Sequence, residues 1–290
     1  QFRSTDVYWG DTHLHTNLSM DAYISGTRLG PEEAYRFARG QTVTANNGKE
    51  ARLQRPLDFL IIADHAINMG VINSIETEDP GILKFERGKR WASWLKNIKM
   101  IEQTDRAKSY EILGKLSSDG WEKGPVGDGS FFHSIWKKVT ALADQYNDPG
   151  RFTTFIGYEW TGPFNLHRVV VFKDNATKAN QITPLPAYDN WDPENLWEFL
   201  ERYESETSGE VLAIPHNGNR SSGVMFALQD AKGNPLSKNY ADTRSRWEPL
   251  LEVTQIKGDS ETHPILSPMD EFADYETMAE ENIPANDMPS

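Results

Sequence analysis

The sequence predicts an α/β protein with a mainly parallel central sheet. Short apolar runs that are typical of buried strands alternate along the 290 residues with segments that have helical spacing. This alternation favours a parallel sheet with helical crossovers. A chain of this length buries a substantial core, and it suits one large domain or two small ones.

Six apolar runs are expected to form strands, because each is short and rich in β-branched or aromatic residues. They are Val7–Asp11, Leu57–Ala63, Phe152–Trp160, His167–Phe172, Val211–Pro215 and Leu250–Ile256. No run approaches the roughly 18 apolar residues of a membrane span, so none is predicted.

Three helices are predicted from their first residues and their periodicity. Pro31–Arg39 opens on a proline, which the first helical turn tolerates, and Phe132–Tyr146 carries apolar residues on one face. Asp192 is a typical N-cap, followed by Pro193 at the first position of a helix that runs to about Tyr203. Residues 70–129 contain no strand-like run and are predicted to be a helical insertion.

Composition limits the functions that the chain can have. The net charge is −13, and an acidic surface repels a phosphate backbone, so nucleic acid is not expected as a partner. The chain has no cysteine, which excludes disulfides, thiolate ligands and cysteine nucleophiles. A metal would therefore need His, Asp and Glu ligands, which suit Zn, Mn or Fe.

A His-x-His pair ends the first predicted strand, in GDTHLHT. Residues i and i+2 of a strand point to the same face, so the imidazoles of His13 and His15 would lie side by side. Such a pair is a ready metal chelate, although paired histidines also occur on ordinary surfaces.

Other metal-binding residue types end further predicted strands. His65 closes LDFLIIADH, His216 closes VLAIPH, and Glu159 lies near the end of FTTFIGYEW. The carboxyl ends of parallel strands meet at one edge of a sheet, where catalytic groups gather in α/β folds. We therefore predict that these residues form one metal centre.

Two aspartates admit two interpretations each. Asp21 lies in a loop six residues after His15 and is either a ligand or a turn cap. Asp64 is either a ligand or a partner that orients a neighbouring imidazole.

His167 and Arg168 open a predicted strand. An arginine suits bidentate recognition of phosphate or carboxylate, and a salt bridge at the strand edge is the alternative for Arg168. His133 is expected to pack on a helix, and His263 lies in a loop with no assigned role.

Six motifs follow one another along the chain: GDTHLHT, IADH, GYEWT, NLHRVVVF, AIPHNGNRSSGVMF and EPLLEVTQIKGDSETHP. In this order they resemble a bacterial domain-of-unknown-function family related to the PHP (polymerase and histidinol phosphatase) superfamily. The resemblance extends from Tyr8 to about Asp274 and implies a single domain spanning residues 1–290.

The resemblance implies a distorted (β/α)₇ barrel that holds two or three divalent metal ions and hydrolyses phosphoesters. The positions that match the metal ligands of the family are His13, His15, Asp21, His65, Glu159 and His216. His167 falls where the family has its own His-Arg pair.

One feature departs from the PHP pattern, in which an Asp-x-His motif closes the barrel. No Asp-x-His occurs downstream of His216. We therefore expect an N-terminal portion of a longer protein, with a barrel incomplete at its C-terminal end. If the centre is nevertheless complete, Asp259, Glu261 or His263 would take the missing role.

The predicted function is that of a metal-dependent hydrolase, with a phosphoester or similar small anionic compound as substrate. Glu159, His167 and Arg168 are predicted to be catalytic, and Arg168, Asn217 and Arg220 to bind substrate. Two alternatives remain: an amidohydrolase-type enzyme that cleaves C–N or ester bonds, and a degenerate metal-binding scaffold. The start at Gln1 without Met, together with the habit of the family, favours a periplasmic or secreted protein over a cytoplasmic one.

Overall fold

A five-stranded sheet forms the centre of the fold. The computed structural model describes residues 6–101, 111, 114–120, 125–187 and 192–275. In sheet order the strands are β1 (Gly10–Leu14), β4 (Phe59–Ile62), β5 (Thr153–Thr161), β6 (His167–Phe172) and β7 (Val211–Pro215). Two small hairpins lie outside this sheet, β2 (Val43–Thr44) with β3 (Glu50–Ala51), and β8 (Thr254–Gln255) with β9 (Gly258–Asp259).

Strand directions confirm a sheet rich in parallel pairing. β1, β4 and β5 pair in parallel, whereas β6 is antiparallel to both of its neighbours, β5 and β7. Only residues 162–166 connect β5 to β6. Because a parallel connection needs a crossover of a dozen or more residues, so short a link imposes the antiparallel direction.

Helices fill the connections between the other strands. In chain order they are α1 (Met20–Ile24), α2 (Pro31–Ala38), α3 (Val71–Glu76), α4 (Pro80–Leu83), α5 (Glu86–Ile101), α6 (Gly129–Tyr146), α7 (Ala176–Ala179), α8 (Pro193–Thr207) and α9 (Lys238–Trp247). No helix in the described ranges is long and apolar enough to cross a membrane.

The three predicted helices are confirmed, with small shifts at their ends. The Asp192 side chain caps α8 by accepting a hydrogen bond from the Glu194 amide at 2.9 Å. α6 begins at Gly129, earlier than expected, because the side chain of Asp128 accepts a hydrogen bond from the Phe131 amide.

The strand predicted over Leu250–Ile256 was wrong. Only Thr254 and Gln255 are extended in a ladder, and they pair with the β9 hairpin strand rather than with the central sheet. The segment meets β7 through one backbone hydrogen bond, from the Glu252 amide to the Pro215 carbonyl at 3.2 Å. Its apolar residues, such as Val253 and Ile256, are exposed, so burial does not hold them in a sheet.

The first strand also differs from its predicted bounds. β1 covers Gly10–Leu14 instead of Val7–Asp11, because its register with β4 begins at Gly10 opposite Phe59. The apolar residues before it, Val7 and Trp9, remain exposed. Here pairing with β4 outweighs the local preference of apolar residues for a strand.

The segment between β4 and β5 holds the predicted helical insertion. The described residues from 71 to 120 are helical or in turns and contain no strand, whereas residues 102–110, 112–113 and 121–124 of the predicted insertion lie outside the described part. The buried carboxylate of Asp119 accepts a hydrogen bond from Trp91 Nε1 at 2.8 Å and pairs with Arg87 and Arg90, each at 3.1 Å. These contacts join the helical residues 114–120 to α5.

The central sheet is open in the described residues, since β1 and β7 are its edges and do not pair with each other. It is nevertheless strongly curved. All five strands contribute to the lining of one apolar cavity of about 520 Å³, for example through Thr12, Ile61, Phe155, Val171 and Ile214. A flat sheet cannot surround a cavity in this way. The opposite face packs on the helices and forms the larger core.

A buried ion pair joins α9 and α8 to β6. Arg168 Nε donates to Glu248 Oε1 at 3.0 Å, and both side chains are only 1% exposed. Trp197 Nε1 donates to the same oxygen at 2.9 Å, and Arg244 lies 3.0 Å from the other. Burial would raise the pKa of Glu248, but the two arginines outweigh it and lower that pKa.

We expect Glu248→Gln to destabilise the fold by about 3–5 kcal/mol at neutral pH, because it leaves the buried Arg168 charge without a counter-charge. The folded pKa of Glu248 lies below its unfolded value. Its stabilisation is therefore complete above the unfolded pKa and is lost as pH falls through the folded pKa. Urea unfolding at a series of pH values should show the difference between variant and wild type shrinking in acid.

Glu210→Gln is the matched control, because the Glu210–Lys173 pair is exposed at both ends. It should change stability little. A Glu248→Gln protein as stable as this control at pH 7 would contradict the structural role assigned to the buried pair.

Candidate metal centre

All five strands of the central sheet deliver a histidine or glutamate to one edge. His13 and His15 lie at the end of β1, His65 lies just after β4, and Glu159 lies near the end of β5. His216 follows β7 directly. His167 is the first residue of β6 and reaches the same edge because β6 runs in the opposite direction.

The carboxylate of Glu159 is the centre of this cluster, and its side chain is 0% exposed. Five imidazole nitrogens lie within 3.5 Å of its two oxygens. Oε2 faces His15 Nε2 at 3.0 Å, His13 Nε2 at 3.2 Å and His65 Nδ1 at 3.5 Å, and Oε1 faces His167 Nδ1 at 2.6 Å and His216 Nε2 at 3.1 Å.

The imidazoles form a closed ring around that carboxylate. Neighbouring ring centroids lie 4.0–5.8 Å apart, in the order His13, His15, His65, His167, His216 and back to His13. The shortest separation, 4.0 Å, joins His13 to His216. These residues come from the two edges of the sheet, so the curvature of the sheet is what closes the ring.

Glu252 orients His13 from outside the ring. His13 Nδ1 lies 2.9 Å from Glu252 Oε2 and donates to it, because an ionised carboxylate only accepts. In the neutral imidazole this places the lone pair on Nε2, which points at Glu159. Burial would lower the pKa of His13, but the hydrogen bonds and charges of Glu159 and Glu252 outweigh it and raise that pKa to about 9.

His15 is oriented by Ser19 and Asp64 in the same manner. Ser19 Oγ donates to Asp64 Oδ1 at 3.0 Å, so it accepts from His15 Nδ1 at 2.8 Å and from the His65 amide at 3.0 Å. Thr16 donates to Asp64 through both its amide and its hydroxyl. Burial raises the pKa of Asp64, and these hydrogen bonds oppose that rise. The Nε2 lone pair of neutral His15 again faces the interior of the cluster.

His65 uses its two nitrogens on opposite sides. Thr161 Oγ1 lies 2.5 Å from Nδ1, and Nε2 lies 3.3 Å from Asp21 Oδ2. Burial would lower the pKa of His65, but Glu159 and Asp21 raise it. Asp21 is at the rim, since its side chain is 58% exposed. It therefore lies where a ligand could reach it from solvent.

The remaining two histidines differ in exposure, since the His216 side chain is 0% exposed and that of His167 is 15% exposed. Burial lowers the pKa of both, to about 4 for His216, despite the opposing attraction of Glu159. His216 Nδ1 has no hydrogen-bond partner among the described residues. Burial alone would raise the pKa of Glu159, but the surrounding imidazoles hold it well below its usual range.

Three overlapping groups of these side chains could hold a metal ion. They are His13 with Glu159 and His216, His15 with Asp21 and His65, and His65 with Glu159 and His167. A metal–nitrogen distance of about 2.1 Å puts neighbouring ligand atoms roughly 3.0–3.4 Å apart. The distances from Glu159 to His13 and His216, 3.2 and 3.1 Å, fall in that range.

The structure brings all six predicted metal ligands together, but it places the predicted substrate residues differently. Arg168 points away from His167 and is paired with Glu248, which matches the salt-bridge alternative. Asn217 is fully buried beside His216 and accepts a hydrogen bond from Gln255 at 2.8 Å. Arg220 ends a short 3₁₀ turn, Gly218–Arg220, and is half-buried.

The residues considered as substitutes for the missing motif lie outside these ligand groups. Asp259 accepts hydrogen bonds from the amides of its own turn, and Glu261 and His263 are exposed. His133 lies on α6, with Nδ1 3.4 Å from Thr183 Oγ1. The carboxylate that reaches the cluster from this part of the chain is Glu252.

Sequence reasoning considered Asp64 as a partner that orients an imidazole, but it missed Glu252, Ser19 and Thr161, which contact the imidazoles directly. Glu252 stands inside the apolar run LLEV, and a charge in such a run was a usable signal. Ser19 and Thr161 offered none, because single hydroxyl residues in loops and strands are common.

The fold and the cluster define an α/β protein whose converging strand ends enclose a buried histidine–carboxylate centre. The chain belongs to the family described as "Protein of unknown function (DUF3604)", whose family model matches residues 3–289. No curated protein and no solved structure matched the chain. The description of the family names no activity, so the relationship to PHP proteins stays a prediction from the motifs.

We expect Ser19→Ala to destabilise the protein by about 1–3 kcal/mol, because it removes a buried group that joins three partners. His15, the His65 amide and Asp64 would each lose a hydrogen bond. Denaturant unfolding measures the loss. Ser134→Ala is the control, since Ser134 is exposed and its hydroxyl donates to the Phe131 carbonyl of its own helix. Equal stability of the two variants would mean that the Ser19 network is dispensable.

Proposed function

We propose that this protein is a metal-dependent hydrolase of phosphoesters, with two divalent cations, Zn, Mn or Fe, held by the cluster around Glu159. The observation that carries the proposal is the inward orientation of the imidazole nitrogens. Nε2 of both His13 and His15 faces the same buried carboxylate oxygen, at 3.2 and 3.0 Å.

The tautomers support a cation at this point. Nδ1 of His13 donates to Glu252, and Nδ1 of His15 donates to Ser19. In the neutral rings the Nε2 lone pairs therefore oppose the lone pairs of Glu159. Two acceptors in contact repel each other unless a proton or a metal ion lies between them. In the metal-free cluster a proton takes that place at His13, whose pKa is raised to about 9, and a bound metal ion would displace it. A carboxylate that accepts a hydrogen bond from the outer nitrogen, as Glu252 does from His13, is also usual around metal-binding histidines.

Two metal positions fit the donor set better than three. His13, Glu159 and His216 offer one set of ligand atoms, and His15, Asp21 and His65 offer another. The third group would need His65 a second time. Its Nδ1 already contacts Thr161 Oγ1 at 2.5 Å, which leaves Nε2 for the position that includes Asp21.

Bound divalent cations would supply Lewis-acid polarisation and an activated water at neutral pH. Glu159 belongs to the first group, and its Oε2 lies 3.0 Å from His15 Nε2 of the second, so its charge would partly neutralise both ions. Asp21 is the exposed ligand and leaves the second position open to solvent. His167 contacts Oε1 of Glu159, whereas His13 contacts Oε2. His167 is the residue that we expect to contact the reacting group.

Asn217 and Arg220 are retained as substrate-binding residues. Gln255 donates to Asn217 Oδ1, so the amide orientation is set and the Nδ2 donor is directed elsewhere. That Nδ2 has no hydrogen-bond partner among the described residues. We do not propose Arg168 as a substrate-binding or catalytic residue, because Glu248 and the surrounding helices enclose its guanidinium group.

The PHP-like barrel is part of the same proposal. The curved sheet supports it, because side chains from its two edge strands meet at 4.0 Å between ring centroids. The described residues contribute five strands to this sheet, so further strands would be needed to close a barrel.

Elemental analysis and a substrate panel test the function together. Purified protein should carry about two divalent ions per chain and hydrolyse a generic phosphoester after metal loading. Faster turnover of amide or lactone substrates would favour the amidohydrolase alternative. Metal uptake with no turnover on any of these substrates would favour a scaffold.

We expect His13→Ala and His15→Ala each to lose bound metal while the fold remains intact, because each removes one inward-facing nitrogen. Metal content by elemental analysis, alongside circular dichroism, measures both effects. His263→Ala is the matched control, since His263 is exposed and outside the ligand groups. Metal content equal to the control in both variants would refute the assigned site.

Glu159→Gln should lower kcat by about 100-fold or more while changing KM little, because it removes the negative charge shared by both positions. We also expect the Glu159→Gln variant to bind one metal ion fewer per chain. Steady-state kinetics with a chromogenic phosphoester gives the comparison, and the exposed Glu201→Gln serves as control. Full activity with normal metal content would make Glu159 an ordinary buried carboxylate.

A further inference from the structure

A cavity of about 310 Å³ is lined by residues of α6 and α8. Residues 183–186, together with Ala66 and Met69 of the loop after β4, complete its wall. None of the residues that line it belongs to the ligand groups around Glu159. Small-molecule sites in proteins have volumes of roughly 300–1,000 Å³. The cavity is therefore large enough for a small ligand and is not part of the proposed metal centre.

The wall of this cavity is mainly apolar. Phe132, Trp136 and Phe199 contribute aromatic side chains to it. The polar atom of Trp136 is already used, because its Nε1 donates to the Ala179 carbonyl at 3.0 Å. Three further lining residues are prolines, which have no backbone N–H to offer a ligand. The part of a ligand that enters the cavity should therefore be apolar, and an aromatic ring would gain favourable contacts with the rings of the wall.

Arg202 is the charged residue in this lining. Its side chain is exposed, and it forms no ion pair with any residue that the structure describes. The guanidinium carbon lies 5.5 Å from the ring centroid of Phe199, which lines the cavity as well. This contact holds a positive charge at the edge of an apolar space, in a chain whose net charge is −13. A guanidinium group without a carboxylate partner is suited to bidentate binding of a carboxylate on a ligand.

We propose that this cavity is a binding site for a small aromatic carboxylate, whose ring packs against Phe132 and Phe199 and whose carboxylate accepts hydrogen bonds from Arg202. The site goes beyond the proposed function, because it requires neither a metal ion nor turnover. Ala66 follows His65 directly, so a bound ligand would contact the loop that carries one of the proposed metal ligands.

Gly129 allows the cavity to be filled by substitution. It lines the cavity at the first residue of α6, and a Cβ atom at this position would meet no heavy atom within 4 Å. A phenylalanine side chain can therefore be placed there to occupy the space. Gly114→Phe is the matched control, because Gly114 is also helical and exposed, and a Cβ atom there meets nothing within 4 Å either.

The test titrates phenylacetate and its neutral analogue phenylacetamide calorimetrically into wild type, Gly129→Phe and Arg202→Gln. Gly129→Phe should bind both compounds about tenfold or more weakly, because its ring takes the place of theirs. Arg202→Gln should bind phenylacetate about fivefold more weakly and phenylacetamide as wild type does, because only the carboxylate uses the charge. Gly114→Phe should match wild type, and so should Arg151→Gln, since Arg151 is exposed and outside the cavity.

Three results would overturn the proposal. Wild-type protein that binds neither compound would do so directly. Phenylacetate that binds Gly129→Phe as tightly as wild type would be bound elsewhere, for example at the metal centre. Equal loss of both compounds in Arg202→Gln would show that the guanidinium group does not recognise the carboxylate. Circular dichroism of each variant shows whether it is folded, and if Gly129→Phe is not, the two compounds compared on Arg202→Gln decide the question.

Discussion

A single buried carboxylate organises the functional end of this molecule. Glu159 is fully buried and touches five imidazoles. Each of the other strands of the central sheet supplies one or two of them, from within the strand or from the first few residues after it. A buried charge is costly unless it is paired and hydrogen-bonded. The strand ends therefore have to converge, so that their side chains can surround this charge. The curvature of the sheet brings the ring centroids of His216 and His13 to 4.0 Å from each other.

The residues behind the imidazoles matter as much as the imidazoles. Glu252 and Ser19 each accept a hydrogen bond from an Nδ1 atom and so direct the opposite nitrogen inward. Asp64 in turn holds Ser19. Since a histidine presents its lone pair only from the nitrogen that carries no proton, these contacts decide what the cluster can bind. On the other face of β6, the Arg168–Glu248 pair keeps that strand in place against the helices.

Much of the site could be predicted because metal-ligand residue types ended several apolar runs. All six predicted ligands lie in the ligand groups. His167 also lies in one of these groups, because β6 runs antiparallel to its neighbours. A mainly parallel sheet, as expected from the sequence, would not have placed it there. Arg168 shows the limit of such reasoning. Its neighbour in the chain, His167, faces the cluster, but successive residues of a strand face opposite sides of the sheet. The partner that buries Arg168 is 80 residues away in the chain.

The sequence by itself determined the α/β pattern, the helices with their caps and the set of candidate ligands, because these depend on local spacing and residue type. Only the tertiary structure decided the direction of β6 and that Leu250–Ile256 adds no strand to the central sheet. It alone also decided the partners that orient His13 and His15. Glu252 lies 239 residues from His13 in the chain, and no local preference encodes a contact that sheet curvature and burial bring about.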